Sequence, residues 1–330
     1  MSSDNAFAIH SVLLQPSGQH FNVLPGQTLL DAALGEGIAL PFGCTNGSCG
    51  ECRAKILSGT IQKTIQQEFT FTAAQKLDGH CLLCANTATS AVELEVLEAT
   101  SVNDIPVQKL NAKLCKVEQA DNVAIATFKF ARGKVLRFLP GQSASIVLQN
   151  GETALLPISS CPCNAQYVQF HLFPDCQSVS GPAMQTVLKA ISNNQKRVTI
   201  TGPIGQYSLR KSTNPATLFV AQGADFAQLQ GMIEQVLSSE AETPCCLVWT
   251  PTATVSHYRM NLCRSWHDAF DEFEFVPAAS ANNIIDQIPV RWLRQLTQCD
   301  IYLGKESKSL ITQLQSRGAD DNNLCYPEPE

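Results

Sequence analysis

The chain has 330 residues, of which 44% are hydrophobic and 16% charged, a composition that excludes a disordered protein. At roughly 150 residues per domain, this length predicts two domains or three small ones. The 23 Lys and Arg against 29 Asp and Glu leave a net charge of −6 without long charge runs, which excludes an electrostatic surface for nucleic acid. Neither a secretion signal nor an apolar stretch of roughly 18 residues is present, so we expect a cytoplasmic protein with no membrane span.

The cysteines carry the clearest chemical signal. The chain has 14 of them, too few for a disulfide scaffold, and clustered thiols in a reducing cytosol predict metal ligands. Cys44, Cys49 and Cys52 stand in the spacing C-x4-C-x2-C, which is typical of a plant-type 2Fe-2S cluster. Gly47 and Gly50 give the loop the conformational freedom that wrapping a small cluster requires. Zinc binding and unligated core cysteines remain alternatives, although structural zinc sites usually use two C-x2-4-C pairs.

The fourth cluster ligand has two candidates. Between Cys52 and Cys84 lie 31 residues, and between Cys52 and Cys81 lie 28. Cys84 is preferred because it follows an apolar Leu-Leu step and leads into a strand-like run, as the last ligand does in ferredoxin-type domains. The predicted metal ligands are therefore Cys44, Cys49, Cys52 and Cys84.

Residues 1–100 resemble a β-grasp ferredoxin domain, with strands over Ala8–Leu14 and His20–Leu24 and a helix from Thr28 to about Gly37. The rest of the chain resembles the flavin and nicotinamide domains of the ferredoxin–NADP reductase superfamily. With the ferredoxin first, the order is similar to the reductase components of benzoate dioxygenase, phenol hydroxylase and soluble methane monooxygenase. The resemblance implies that electrons pass from NAD(P)H through FAD and the 2Fe-2S cluster to an oxygenase.

The predicted fold is therefore multidomain, combining α+β and α/β parts. It consists of the β-grasp ferredoxin domain over 1–100, a linker over 101–108, an antiparallel β-barrel of the FAD-binding type over 109–208, and a parallel α/β domain of the NAD(P)-binding type over 209–330. Phe138-Leu-Pro-Gly-Gln142 resembles the strand-entry motif of the family barrel, and Gly202-Pro-Ile-Gly-Gln-Tyr207 resembles the turn that closes it. Strands are expected over Leu110–Val117, Val123–Phe130, Ala144–Leu148 and Val168–Phe173 in the barrel, and over Thr217–Ala221, Cys246–Thr250, Glu272–Phe275 and Asp300–Leu303 in the α/β domain, with a helix over Phe226–Leu237.

The flavin motif of the family, Arg-x-Tyr-Ser/Thr, reads Leu156-Pro157-Ile158-Ser159 in this chain, so only the serine remains. The second phosphate loop reads Asp175-Cys-Gln-Ser-Val-Ser180 and keeps Ser180. Ser159 and Ser180 are the candidate FAD-binding remnants, and FAD binding stays open because a lost phosphate contact costs roughly 1.5–3 kcal/mol. Cys161, Cys163 and Cys176 lie in the same segments and predict either a second metal or redox site or, as the common alternative, buried small side chains.

The two nicotinamide motifs are also altered. The glycine-rich turn after the first α/β strand reads Gln222-Gly223-Ala224-Asp225-Phe226, and Asp225 with Gln228 resembles a capping box that fills the anion site from within. The last motif, Cys-Gly-Pro-Pro in the family, keeps only Gly304. We therefore do not expect direct oxidation of NAD(P)H.

Three hypotheses follow. The first is a reductase-like iron–sulfur protein that passes single electrons between a separate donor and a partner redox enzyme, such as an oxygenase or another metalloenzyme, with weakened or lost FAD and NAD(P)H binding and no catalytic residue of its own. The second is an active NAD(P)H-dependent oxidoreductase with FAD and a 2Fe-2S cluster. The third is a non-catalytic assembly subunit that uses the reductase fold as a docking surface.

Overall fold

The computed structural model describes residues 8–36, 38, 40–96, 102, 105–131, 134–162, 166–174, 181–193, 196–210, 214–239, 243–279 and 284–328. The chain divides into two compact units, Met1–Pro106 with Phe130–Arg137, and Val107–Lys129 with Phe138–Glu330. The sequence boundaries near 100 and 208 stay predictions. Among the described residues, no helix has the length and apolar character that crossing a membrane requires.

The first unit contains the ferredoxin-like fold. A five-stranded sheet has the order β2-β1-β7-β3-β5, and β4 pairs with β6 in a separate ribbon. The Thr28 hydroxyl accepts a hydrogen bond from the Asp31 N–H at 3.0 Å and thereby starts α1, whose apolar side is buried. The elements are β1 (His10–Gln15), β2 (His20–Val23), α1 (Leu29–Gly35), β3 (Arg53–Ser58), β4 (Ile61–Lys63), α2 (Ala73–Leu77), β5 (His80–Leu82), β6 (Asn86–Ala88) and β7 (Val92–Glu95).

The second unit begins with an antiparallel sheet of six strands in the order β11-β10-β13-β8-β9-β12. The Gln142 side chain joins the two predicted landmarks, because it accepts from the Leu139 N–H at 2.8 Å and donates to the Gly205 carbonyl at 3.0 Å. Its elements are β8 (Gln108–Ala120), β9 (Val123–Phe130), β10 (Ser143–Val147), β11 (Thr153–Pro157), β12 (Tyr167–Leu172), α3 (Gly181–Ser192) and β13 (Arg197–Ile204).

The second unit ends with a parallel sheet in the order β16-β15-β14-β17-β18. Its first strand, β14, is central, so the chain leaves it in one direction toward β15 and later returns on the other side as β17. The elements are β14 (Ala216–Gln222), α4 (Phe226–Ser238), β15 (Cys245–Thr250), α5 (Met260–Ala269), β16 (Phe273–Pro277), α6 (Ile284–Gln287), α7 (Val290–Leu293), β17 (Cys299–Leu303), α8 (Ile311–Ser316) and β18 (Leu324–Cys325).

The predicted fold class is confirmed, and the predicted strands overlap observed ones to within a few residues. The sequence pattern did not predict strands β3, β4, β5, β6, β11, β13 and β18 or helices α2, α3, α5, α6, α7 and α8. Leu155 and Leu156 in β11 sit between turn residues in too short a run to give a clear period.

Candidate cluster site and nucleotide sites

The cysteine loop runs over residues 43–52, between α1 and β3. Gly47 and Gly50 have φ angles of 75° and 76°, a conformation that favours glycine. A side chain at position 50 would also collide with the ring of Phe69, whose atoms lie 2.2 Å from the place of its first carbon. Both glycines are therefore needed where the sequence analysis placed them.

The structure arranges the candidate thiols in two pairs. The Sγ atoms of Cys52 and Cys84 lie 3.3 Å apart. The Cys44 sulfur accepts a hydrogen bond from the Cys49 N–H at 3.4 Å, and the two side chains are also hydrogen-bonded to each other. Among the described residues, no group of three or more Cys, His, Asp or Glu side chains has the arrangement of a single metal-ion site. Two thiol pairs fit a centre with two irons, each bound by two thiolates.

The local electrostatics lower the pKa of two of the candidate thiols, Cys44 and Cys52, and raise the pKa of the others. Burial opposes ionisation of Cys44, but hydrogen bonds from Cys49, Asn46 and Ser48 outweigh it and lower its pKa to about 6. The hydrogen bond from Cys84 lowers the pKa of Cys52. Burial raises the pKa of Cys81 to about 12. The hydrogen bond with Cys52, together with burial, also raises the pKa of Cys84, and burial raises the pKa of Cys49. The pKa shifts therefore do not separate Cys84 from Cys81 as a ligand, and the sulfur positions are the evidence that does.

A cation lies beside the cysteine loop. Arg137 belongs to the Phe130–Arg137 segment of the first unit, and its Nη1 atom lies 3.7 Å from Oε2 of Glu51. The Arg137 side chain is only 13% exposed, and its charge also interacts with Cys49. The sequence gives no sign of this residue's place, since 85 positions separate it from Cys52 and no motif marks it.

The flavin-motif residues of the barrel are closed off. Leu156, Ile158 and Ser159 are all fully buried, at 0% exposure. The Ser159 N–H donates to the Gln169 carbonyl at 2.9 Å and so joins the ends of β11 and β12. The Ser159 hydroxyl has no hydrogen-bond partner among the described residues. An unpaired buried hydroxyl is free to bond a ligand atom, whereas the two apolar side chains offer no hydrogen bond to a diphosphate.

Helix α4 packs directly on this part of the barrel. The Glu234 carboxylate accepts from the Cys161 N–H at 3.0 Å, and the Gln228 side chain donates to the Gly141 carbonyl at 3.1 Å. Cys161 is disulfide-bonded, so it is not a free thiol. The predicted residues Ser180, Cys163 and Cys176 lie outside the described residues. Leu156 and Ile158 carry neither the charge nor the aromatic face of the family's flavin motif, and both side chains are buried.

The turns after β14 and β17 form the nucleotide site of such a sheet, since ligands bind where the strand order reverses. Asp225 lies there and is 5% exposed. The predicted capping box is wrong in its partners. The Asp225 side chain makes no capping hydrogen bond to α4, and Gln228 contacts the barrel instead. The carboxylate accepts hydrogen bonds from the backbone of Gln222, Glu306 and Ser307.

Two further features belong to this site. Glu306 lies in the turn after β17, and desolvation together with the Asp225 charge raises its pKa to about 7. The buried rings of Phe226 and Trp249 are stacked with centroids 4.3 Å apart at the ends of β14 and β15. The sequence analysis had not assigned a role to any of these three residues.

The ferredoxin part of the chain matches a known family. A model of the 2Fe-2S iron-sulfur cluster binding domain matches residues 12–89. That range includes both thiol pairs.

Curated relatives cover most of the chain. It is 26% identical over 275 residues to CDP-6-deoxy-L-threo-D-glycero-4-hexulose-3-dehydrase reductase of Yersinia pseudotuberculosis, covering 83% of this chain and 80% of that protein. It is 24% identical over 270 residues to reductase component 1 of terephthalate 1,2-dioxygenase from a Comamonas species, covering 82% and 78%. Among solved structures, the ferredoxin reductase in carbazole 1,9a-dioxygenase matches with a TM-score of 0.54 and 19% identity over 97% of this chain and 98% of that one, which shows a shared fold.

Proposed function

We propose a function for this chain that starts from its family, since it belongs to the ferredoxin-first reductase components of oxygenase systems, within the ferredoxin–NADP reductase superfamily. It is a reductase-type electron-transfer protein with a 2Fe-2S ferredoxin domain. We further propose the ligands of the cluster, the source of its electrons and their acceptor.

The ligands are Cys44, Cys49, Cys52 and Cys84. The observation that carries this assignment is the pairing of the thiols, with the Cys52 and Cys84 sulfurs 3.3 Å apart. When bound, a 2Fe-2S cluster supplies one-electron oxidation and reduction. The protein supplies the thiolates, and it holds N–H groups toward the sulfurs, including that of Glu51, which donates to the Cys49 sulfur at 3.4 Å.

The electrons come from a separate donor protein. The fully buried Leu156 and Ile158 and the contact of Cys161 with α4 support this, because these groups stand where FAD would be held. The donor reduces the cluster, and the cluster passes single electrons to a partner enzyme.

The second candidate is an NAD(P)H-dependent oxidoreductase that also binds FAD. The relatives favour it over the loss of both cofactors, because they are reductases matched over about four fifths of their length. The unpaired Ser159 hydroxyl is the structural observation on its side.

The electron acceptor is a separate enzyme. The relatives are named for a dioxygenase, a phenol hydroxylase and a sugar dehydrase. We propose an oxygenase or another metalloenzyme that takes electrons one at a time. A purely structural assembly role is the remaining hypothesis.

The test is anaerobic purification of the full chain followed by iron, sulfide and flavin analysis and a visible spectrum. We expect two irons and two sulfides per chain, a spectrum bleached by dithionite, and less than stoichiometric flavin. Stoichiometric FAD, with bleaching by NADH, would establish the second candidate instead. A colourless protein without iron would leave only the assembly role.

A further inference from the structure

The carboxylate of Asp225 is held by four hydrogen bonds at the point where the strand order reverses. Backbone N–H groups of Gln222, Glu306 and Ser307 donate to it at 3.1, 2.9 and 3.0 Å. The Ser307 hydroxyl adds a fourth bond at 2.6 Å. One donor belongs to the end of β14 and three to the turn after β17, so the aspartate binds the two turns together.

Such a set of converging backbone N–H groups is what a phosphate group requires. Here the donors are already used by a side chain of the same protein. Gly304 allows this closeness, because a side chain at that position would come within 2.0 Å of the Asp225 carboxyl carbon. The turn after β17 is therefore built around the aspartate.

We propose that Asp225 is a built-in anion that replaces the pyrophosphate of a dinucleotide, so that the α/β domain of this chain does not take NAD(P)H. The inference deepens the proposed function and rests on it, since it explains why the cluster needs a separate electron donor. It concerns only the α/β domain and is independent of the flavin crevice.

The surroundings of Asp225 support the same conclusion. Glu306 places a second carboxyl group next to the first. Above about pH 7, where both carboxyl groups are ionised, their charges repel a phosphate. The stacked rings of Phe226 and Trp249 occupy the space beside it, and the indole N–H of Trp249 donates to the Gly223 carbonyl at 3.1 Å. The glycine turn that would face a dinucleotide is thus tied to the core.

The experiment compares the full-length protein with the double variant Asp225→Gly, Glu306→Gln, using isothermal titration with inorganic pyrophosphate and with NADH. We expect no binding to the parent below about 1 mM, and at least a tenfold gain in pyrophosphate affinity in the double variant. Asp225→Asn keeps the size of the side chain and removes its charge, so it serves if the double variant does not fold. The matched control is Glu274→Gln, which removes a carboxylate paired with Arg291 in the same domain.

Submillimolar NADH binding to the parent overturns the inference. A folded Asp225 variant with no gain in pyrophosphate affinity also overturns it, because a feature other than Asp225 would then exclude the phosphate. Iron and sulfide content of the same samples tests the proposed function separately, since cluster loss leaves the titrations of the α/β domain interpretable.

Discussion

At the scale of single residues, Cys81 and Cys84 are close in sequence, but their contacts in the structure differ. Both are buried, at 5% and 2% exposure. Cys84 contacts the sulfur of Cys52, whereas Cys81 lies in β5 and pairs through its backbone with Ala54. The sulfur contact supports the proposal that Cys84, and not Cys81, is the fourth ligand.

We expect Cys84→Ser to abolish the visible spectrum of the cluster and Cys81→Ser to leave it intact. The physical reason is the sulfur pairing, since a serine at position 84 removes one of two thiolates from one iron. Iron content and absorption of anaerobically purified variants measure it. Bleaching by Cys81→Ser with an intact Cys84→Ser spectrum would reverse the ligand assignment.

Asp225 gives a second prediction at this scale, through pH. Burial raises its pKa to about 6 from 3.8, against the hydrogen bonds that lower it. The folded state therefore favours the protonated form, so the contribution of this group to the free energy of unfolding is greatest below pH 4 and falls as pH rises to 6. The loss is about 3 kcal/mol, at about 1.4 kcal/mol per pH unit.

Asp225→Asn should remove this dependence. The difference in unfolding free energy between parent and variant should shift by about 2 kcal/mol in favour of the variant between pH 4 and pH 7. Denaturant titrations followed by tryptophan fluorescence at both pH values measure the shift. A constant difference across that range would show that Asp225 has an ordinary pKa.

At the scale of elements, β11 carries the altered flavin-motif position Leu156, and α4 packs against the same part of the barrel. Leu156 points into the barrel interior, whereas its neighbour Leu155 is half-buried. The period of a strand sends successive side chains to opposite faces, so these two residues form a matched pair for substitution.

Leu156→Arg should lower the free energy of unfolding by about 3–5 kcal/mol, because it buries an unpaired charge. Leu155→Arg should cost much less, since its side chain can reach solvent. Added FAD should not raise the melting temperature of either variant. Thermal denaturation with and without FAD measures this, and stabilisation of Leu156→Arg by FAD would mean that the crevice opens and accepts the dinucleotide.

At the scale of the whole molecule, the ferredoxin-like unit includes a segment from much later in the chain. Phe130–Arg137 belongs to it, and Arg137 contributes a mostly buried guanidinium near the cysteine loop. Adding an electron to a cluster makes it more negative. A cation close to it therefore stabilises the reduced form.

Replacing Arg137 by Gln should lower the midpoint potential of the cluster by roughly 30–60 mV, where 59 mV corresponds to a tenfold change for one electron. A potentiometric titration followed by electron paramagnetic resonance measures it. Lys55→Gln is the control, since Lys55 pairs with Asp78 in the same unit. Equal shifts of the midpoint potential in both variants would mean that Arg137 acts on the cluster no more strongly than another positive charge of the same unit.

The sequence by itself determined the features that depend on local spacing. Cys44, Cys49 and Cys52 lie within nine positions, with Gly47 and Gly50 between them. The β-barrel and the parallel sheet were predictable too, because strand periodicity and turn residues are local signals. The altered flavin and nicotinamide motifs were visible as substitutions in the chain.

Only the tertiary structure decided how these pieces meet. It brought Cys84 to Cys52, Arg137 to Glu51, and Asp225 to the turn at Ser307, across separations of 32 to 86 residues. A capping pattern such as that of Asp225 and Gln228 is local, but the buried carboxylate found a larger set of donors in a distant turn. A buried charge is stable only when hydrogen bonds satisfy it, and the tertiary fold determines which donors are within reach.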